Sequence, residues 1–417
     1  MILKAEIVWA GPGRMVRDGG IRVEEGHIAQ VAPFVEMDHR NDSVEDFGNA
    51  VLLPTMANAH VHLDLSHLEG KLMQSADFTQ WLKQVARARK VTVFEGRSVN
   101  KGIDQVIGGG ATLVGDISVS GRSAGALRRR GLGRSIVFCE AIGLDPAKAD
   151  QQAGKLRAKI ERLLRKATVR IGISPHAPYS VSPELFRRCV SLAKEYSLPM
   201  AIHTAETASE VEFLKRGTGE LRQLLENYDL LPKGWRPPGL TPMRHLESLG
   251  VLNAQPLLIH CNHVDMAEAE TLAKLGCPVA YCPRSNAFFQ RDTNSLHLLQ
   301  SAGVNVAIGT DSLASNSSLS MLDEIIFLKK QHPELRWDTI FQMATQNGAV
   351  ALGVEQGGIL ATGLPANITA ISLPPPEQQR PAEPLALDEA STVLLTMAHG
   401  QPMKPRTERL QELAGTA

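Results

Sequence analysis

Residues 51–63 read VLLPTMANAHVHL and residues 304–312 read VNVAIGTDS. Each is a short apolar or β-branched run that ends in polar groups, the pattern of a buried strand with chemistry at its C-terminal end. The same pattern recurs six times between them: ATLVGDIS from Ala111, SIVFCEAIG from Ser135, VRIGISPHAP from Val169, MAIHTAE from Met200, PLLIHCNHV from Pro256 and PVAYCPRSN from Pro278. Helix-patterned stretches separate the runs. SPELFRRCVSLAKEY, for instance, opens on a Ser N-cap with Pro in the first turn. Eight strands alternating with helices predict an α/β fold, a TIM-like (β/α)8 barrel over residues 53–352, somewhat longer than the roughly 250 residues of a typical barrel. A doubly wound sheet is the alternative.

Outside the barrel the periodicity changes. AEIVWAG, GGIRVEEGHIAQVAP and the late GGILATGLPANITAISL alternate polar and apolar residues around Gly turns. Residues 1–52 and 353–417 are therefore expected to pair into a small β-sandwich side domain, with two separate caps as the other possibility. A Pro-rich tract, LPPPEQQRPAEPLAL, is expected to be a surface loop.

The 417 residues are 43% hydrophobic and 21% charged, a globular balance that excludes disorder. Lys plus Arg and Asp plus Glu number 44 each, giving a net charge of +0, so no bulk attraction draws the chain to nucleic acid or an anionic membrane. Five cysteines, Cys139, Cys189, Cys261, Cys277 and Cys282, fall in apolar segments and are expected to be reduced. No run reaches the roughly 20 apolar residues of a membrane span, and MILKAEIVWAGPG lacks a secretory signal. These readings predict a cytoplasmic protein with a small-molecule partner.

Every barrel strand ends in unusual chemistry, on the face where barrels place their active sites. His60 and His62 lie two apart on a strand and so point the same way. Closing the barrel sets strand eight beside strand one, which brings Asp311 to that pair, while His203 comes from strand five. Three imidazoles and a carboxylate make a ligand set for one divalent ion, Zn²⁺ or Fe²⁺. Glu206 is placed to shuttle protons and His260 to hydrogen-bond an oxygen that gains negative charge. The plain alternative is that these groups only fill or brace the barrel mouth. His263 should face the other way, and the HLE at His245 has cysteines (Cys277, Cys282) at the wrong spacing for the other zinc deaminase architecture.

HVHLD, HTAE, HCNH and GTDS together resemble the amidohydrolase superfamily, in the branch of adenosine-derivative, guanine and triazine deaminases and hydrolases that uses one metal and no bridging lysine. No Lys closes strand four in ISPHAP. The resemblance implies metal ligands at His60, His62, His203 and Asp311, a proton shuttle at Glu206 and a hydrogen-bonding His260. SPHAPYSVS, HTAETASEVEFLKRGTG, CPRSNAFF and GTDSLASNSSLSMLDE are most similar to the aminodeoxyfutalosine deaminases of menaquinone biosynthesis. Methylthioadenosine/S-adenosylhomocysteine deaminases, guanine or cytosine deaminases and triazine hydrolases are the alternatives. PTMANAHVH in place of PGLINAHTH and PANI in place of PADI depart from the family pattern without touching a ligand. The implied reaction is hydrolytic release of ammonia from an aminopurine nucleoside: Asp311 takes a proton from the attacking water, Glu206 protonates the adjacent ring nitrogen, and His260 holds the oxygen. A homodimer is compatible with it. For substrate, His176 is placed to hydrogen-bond the purine or ribose, Phe78 and Trp81 to stack on a base or pack the rim, and Arg284 to meet an anionic tail, with Arg87, Arg89 and Arg122 as further candidates. Arg128, Arg129 and Arg130 read as a solvated helix face.

Overall fold

The computed structural model describes residues 1–75, 77–91, 96–166, 169–291, 295–375 and 384–403, the side chains of 89–91 excepted. Five strands precede the barrel: β1 (Ile2–Gly11), β2 (Arg14–Glu24), β3 (His27–Pro33), β4 (Val44–Asp46) and β5 (Ala50–Pro54). The run from Val51 to Leu63 is thus two strands. Backbone N–H groups of Thr55 and Met56 turn to Asn367 and Gly110, the chain changes sheet, and β5 stays with the side domain to Pro54, two residues past the boundary read from the sequence.

The barrel follows as β6 (Met56–Val61), β7 (Ala111–Ser118), β8 (Ile136–Ala141), β9 (Arg170–Pro175), β10 (Ala201–Thr204), β11 (Leu257–His260), β12 (Val279–Tyr281) and β13 (Val306–Ile308), one strand in each of the eight runs. All neighbours are parallel, in two arcs of four. Bridges from Ile173 to Met200 and from Val61 to Asp311 close the ring, so the doubly wound alternative is excluded. Inward residues alternate with outward ones as the pleat requires: Ile136, Phe138, Ala201, Leu257 and Ile259 fill the barrel, while Val137, Cys139, Ile202 and Leu258 pack under the helices. Ser182 caps the helix Pro183–Tyr196 by accepting from the Leu185 N–H, as its sequence predicts.

After the barrel come β14 (Ile368–Ser372), β15 (Val393–Ala398) and β16 (Gln401–Pro402). β14 pairs antiparallel with β5, so the two ends of the chain form one eight-stranded sheet and not two caps. Leu3, Val8, Ile21, Leu52 and Ile368 of this sheet bury against one another. Ile7, Trp9, Val51 and Leu53 instead enter the barrel's outer core, and the Trp9 indole donates to Asp338 at 2.7 Å. Most of the Pro-rich tract, residues 376–383, lies outside the described residues. All five cysteines are buried and free. Of the arginine run, Arg128 and Arg129 are exposed, but Arg130 turns inward to a half-buried ion pair with Asp104, which draws it out of the solvated face expected of it.

Candidate metal centre

Strand ends supply the site. His60 lies in β6, His62 just past it, His203 in β10 and Asp311 three residues past β13. The β6–β7 register slips between Asn58 and Val61, a bulge that re-aims side chains, so Ala59 packs inside the barrel while His60 beside it reaches the mouth. His62 Nε2 and His203 Nε2 approach to 3.2 Å, and Asp311 Oδ1 lies 3.4 Å from His60 Nε2 and 3.8 Å from His62 Nε2. The ligand atoms of the three histidines all fall within 4.8 Å of one another.

Three observations test whether this set fits a metal. Neither buried nitrogen of His60 finds a hydrogen-bond partner among the described residues. His203 Nδ1 lies 3.0 Å from the His176 carbonyl, which requires the proton on Nδ1 and leaves the Nε2 lone pair facing inward. Ser285 and Ser315 hydroxyls both donate to Asp311 Oδ2, at 2.7 Å each, leaving Oδ1 toward the histidines. Burial, then the neighbouring imidazoles, holds His203 well below its usual range, so it is a neutral ligand at neutral pH. Burial alone would raise Asp311, but His60 beside it, with His260 and His62 farther off, keeps it well below the usual carboxylate range. The donor set fits one divalent transition metal.

Backbone strain marks the same place. Ala205, His260, Cys261 and Asp311 have φ of 50°, 72°, 49° and 57°, the left-handed region that non-glycine residues avoid.

Glu206 and His260 flank the centre, both buried. Their nearest atoms, Glu206 Oε1 and His260 Nε2, are 3.8 Å apart. Burial outweighs the nearby carboxylates and pushes His260 down to about 4, so the ring is neutral. Glu206 has partners that the sequence reading missed. Arg291 donates to Glu206 Oε1 at 2.8 Å and to Asn286 Oδ1 at 2.9 Å, over the ring of Phe289. Asn286 and Asn262 exchange amide hydrogen bonds, and Asn262 Nδ2 donates to the Glu206 carbonyl at 3.1 Å. Glu210 accepts the Glu206 N–H at 2.8 Å. One signal was in view: Ser285 and Asn286 stand beside Arg284 in CPRSN. Arg291 lay beyond any motif.

Of the proposed substrate groups, His176, Phe78 and Trp81 lie together, joined through Tyr179, and Arg284 stands apart. The His176 ring sits 5.0 Å from that of His203, its Nδ1 2.6 Å from Ser180 Oγ. Phe78 stacks on Trp81 and meets Tyr179 and Phe289 edge-on, while the Trp81 indole donates to the Ala314 carbonyl at 2.9 Å. They form an aromatic wall packed on the rim. Arg284 is engaged elsewhere, with Ser317 at 2.6 Å and Asp323 at 3.3 Å. The Arg89 side chain is outside the described residues. Asp64, the last residue of HVHLD, accepts from Ser118 and Ser120, and Asp116 accepts the Leu63 N–H, so both brace the loop after β6.

The model of the amidohydrolase family matches residues 51–403. The chain belongs to that family. This amidohydrolase is 32% identical over 362 residues to the aminodeoxyfutalosine deaminase of Deinococcus radiodurans, covering 84% of this chain and 85% of the relative. It is 30% identical over 410 residues to a 5-methylthioadenosine/S-adenosylhomocysteine deaminase of Nitratidesulfovibrio vulgaris, covering 93% and 88%. Its fold matches that of Helicobacter pylori aminofutalosine deaminase, solved with methylthio-coformycin, with a TM-score of 0.83, 21% identity and coverage of 96% and 99%. The amidohydrolase is a hydrolase of carbon–nitrogen bonds other than peptide bonds. Among its described residues no helix is long and apolar enough to cross a membrane.

Proposed function

We propose that the protein is a cytoplasmic deaminase of 6-aminodeoxyfutalosine, releasing ammonia, with His60, His62, His203 and Asp311 holding one zinc or ferrous ion. The observation that carries deamination is the pairing of that ligand set with the buried Glu206 and His260, 3.8 Å apart. The substrate reading rests on the likeness to the Deinococcus enzyme. The likeness to the Nitratidesulfovibrio enzyme favours methylthioadenosine or S-adenosylhomocysteine as the second reading.

When bound, the ion acidifies water and so supplies a nucleophile at neutral pH. Asp311, held ionised, is the carboxylate placed to accept a proton, and the Ser285 and Ser315 hydroxyls on its Oδ2 keep it oriented. Glu206 carries a proton to the ring nitrogen next to the amino-bearing carbon, which relieves negative charge there. His260 is neutral, and its buried Nδ1 has no hydrogen-bond partner among the described residues. Its ring can donate one hydrogen bond to the oxygen that becomes negative, a contribution of about 3 kcal/mol for a well-placed donor elsewhere. The wall of Phe78, Trp81, Tyr179 and Phe289 excludes water from one side, and His176 meets the purine or ribose.

Metal-loaded protein is to be incubated with aminodeoxyfutalosine, methylthioadenosine, S-adenosylhomocysteine, adenosine, guanine and cytosine, following ammonia and the ultraviolet shift of adenine to hypoxanthine. The highest kcat/KM on aminodeoxyfutalosine supports the reading. A higher value on a thioether nucleoside replaces it with the second, and no reaction with any purine rejects both in favour of a triazine-type hydrolase.

A further inference from the structure

His297, His332 and Glu334 form a cluster distinct from that of His60, His62 and His203. His297 sits on the helix Leu296–Ser301, and His332 directly follows the helix Met321–Gln331. His297 Nε2 lies 2.7 Å from Glu334 Oε1, His332 Nδ1 3.2 Å from the same oxygen, and the two nitrogens 3.3 Å from each other.

From these distances we propose a second, peripheral site for a divalent transition metal, with His297 Nε2, His332 Nδ1 and Glu334 Oε1 as ligands and solvent in the fourth position. Zinc bonds of about 2.0–2.1 Å arranged as a tetrahedron separate neighbouring donors by about 3.3 Å. Two of the three separations here already have that length, and the third opens by about half an ångström when an ion replaces the imidazole–carboxylate hydrogen bond.

The frame is fixed before an ion arrives. Lys329 Nζ donates to the carbonyls of Pro333 and Leu335, at 3.1 and 2.8 Å, and the Leu335 N–H returns to the His332 carbonyl, which pins the turn bearing two of the ligands. Leu296, Leu299, Leu328 and Leu335 anchor both elements in the outer core. The His332 side chain is 7% exposed, whereas His297 and Glu334 are 55% and 51% exposed, so one ligand is rigid and the open edge faces water. Two imidazoles and a carboxylate select zinc, nickel, cobalt or copper over magnesium or calcium. An ion there would staple the helix before β13 to the end of the helix after it.

Chelator-stripped protein titrated with Zn²⁺ alone in a calorimeter tests the site. The expected result is about two equivalents, one tight and one weaker. In His297→Ala, where an exposed side chain is removed at little cost to folding, the weaker one is lost or weakened at least about tenfold, and turnover at one equivalent is unchanged. Glu334→Gln should act in the same direction. A single equivalent in the native protein, or a second equivalent retained at native affinity in His297→Ala, overturns the proposal. His203→Ala separates the two sites: it should lose only the tight equivalent, so failure at the barrel mouth and failure at the periphery give different stoichiometries.

Discussion

Glu206 is held from three sides: its carboxylate by Arg291, its N–H by Glu210 and its carbonyl by Asn262. The role proposed for it, carrying a proton, needs such fixing, because transfer falls off steeply once donor and acceptor leave hydrogen-bond reach. Replacing Glu206 by Gln keeps shape and metal but removes the proton-accepting oxygen. Turnover should fall about 10³-fold with metal content unchanged by elemental analysis; undiminished turnover would remove Glu206 from the mechanism. Arg291→Met leaves a buried carboxylate without its cation, so the variant should lose about 3–5 kcal/mol of stability in denaturant titration. Arg291→Lys should recover only part of it, since a point charge cannot also reach Asn286 as the guanidinium fork does.

Strand closure decides whether the ligands meet at all. A Cβ built on Gly309 of GTDS would lie 2.8 Å from His60 Cβ and 2.9 Å from both the backbone nitrogen and oxygen of His60. Thr310 and Asp311 N–H groups both donate to that same carbonyl, and Asn58 pairs with Thr310 by side chain and backbone. Only glycine lets β13 come this close to β6. Gly309→Ala should therefore push the strands apart, lowering stability by about 1–3 kcal/mol and weakening metal binding through displacement of both His60 and Asp311. Native metal affinity in a destabilised variant would separate closure from ligation.

For the whole molecule, buried charge and the ion set the dependence on conditions. Asp116 is pushed up to about 7, by burial first and then by the charge of Asp64, from 3.8. Between pH about 4 and 7 the folded chain keeps a proton that the unfolded chain releases. Stability from this group is therefore complete below about 4 and declines as pH rises, at about 1.4 kcal/mol per unit. Asp116→Asn keeps an acceptor for the Leu63 N–H and removes the charge, so the stability difference between variant and native protein should shift in the variant's favour across that window at saturating metal. A flat difference would place the Asp116 pKa near its ordinary value. Stripping the metal should lower the thermal midpoint. At an ion concentration about a thousandfold above Kd the lost stabilisation is about 4 kcal/mol, and Zn²⁺ should restore it.

Eight strands, their helices and the placement of His60, His62, His203, Glu206, His260 and Asp311 at strand ends were legible in the sequence because each sits in a local pattern: a short apolar run, a strand end, a capped helix. The same locality hid the rest. Val51–Leu63 reads as one strand because the change of sheet at Thr55 is set by partners, Asn367 and Gly110, that lie far along the chain. Arg284 looked free because Ser317 and Asp323 meet it only after folding. Arg291 carried no motif, although it reaches Glu206 85 residues away. The sequence by itself determined which chemical groups stand at the strand ends, since burial period and strand length are properties of a few neighbouring residues. Tertiary structure alone decided how those groups are aimed, paired and charged, because distance, desolvation and counter-charge arise between segments that meet only when the barrel closes.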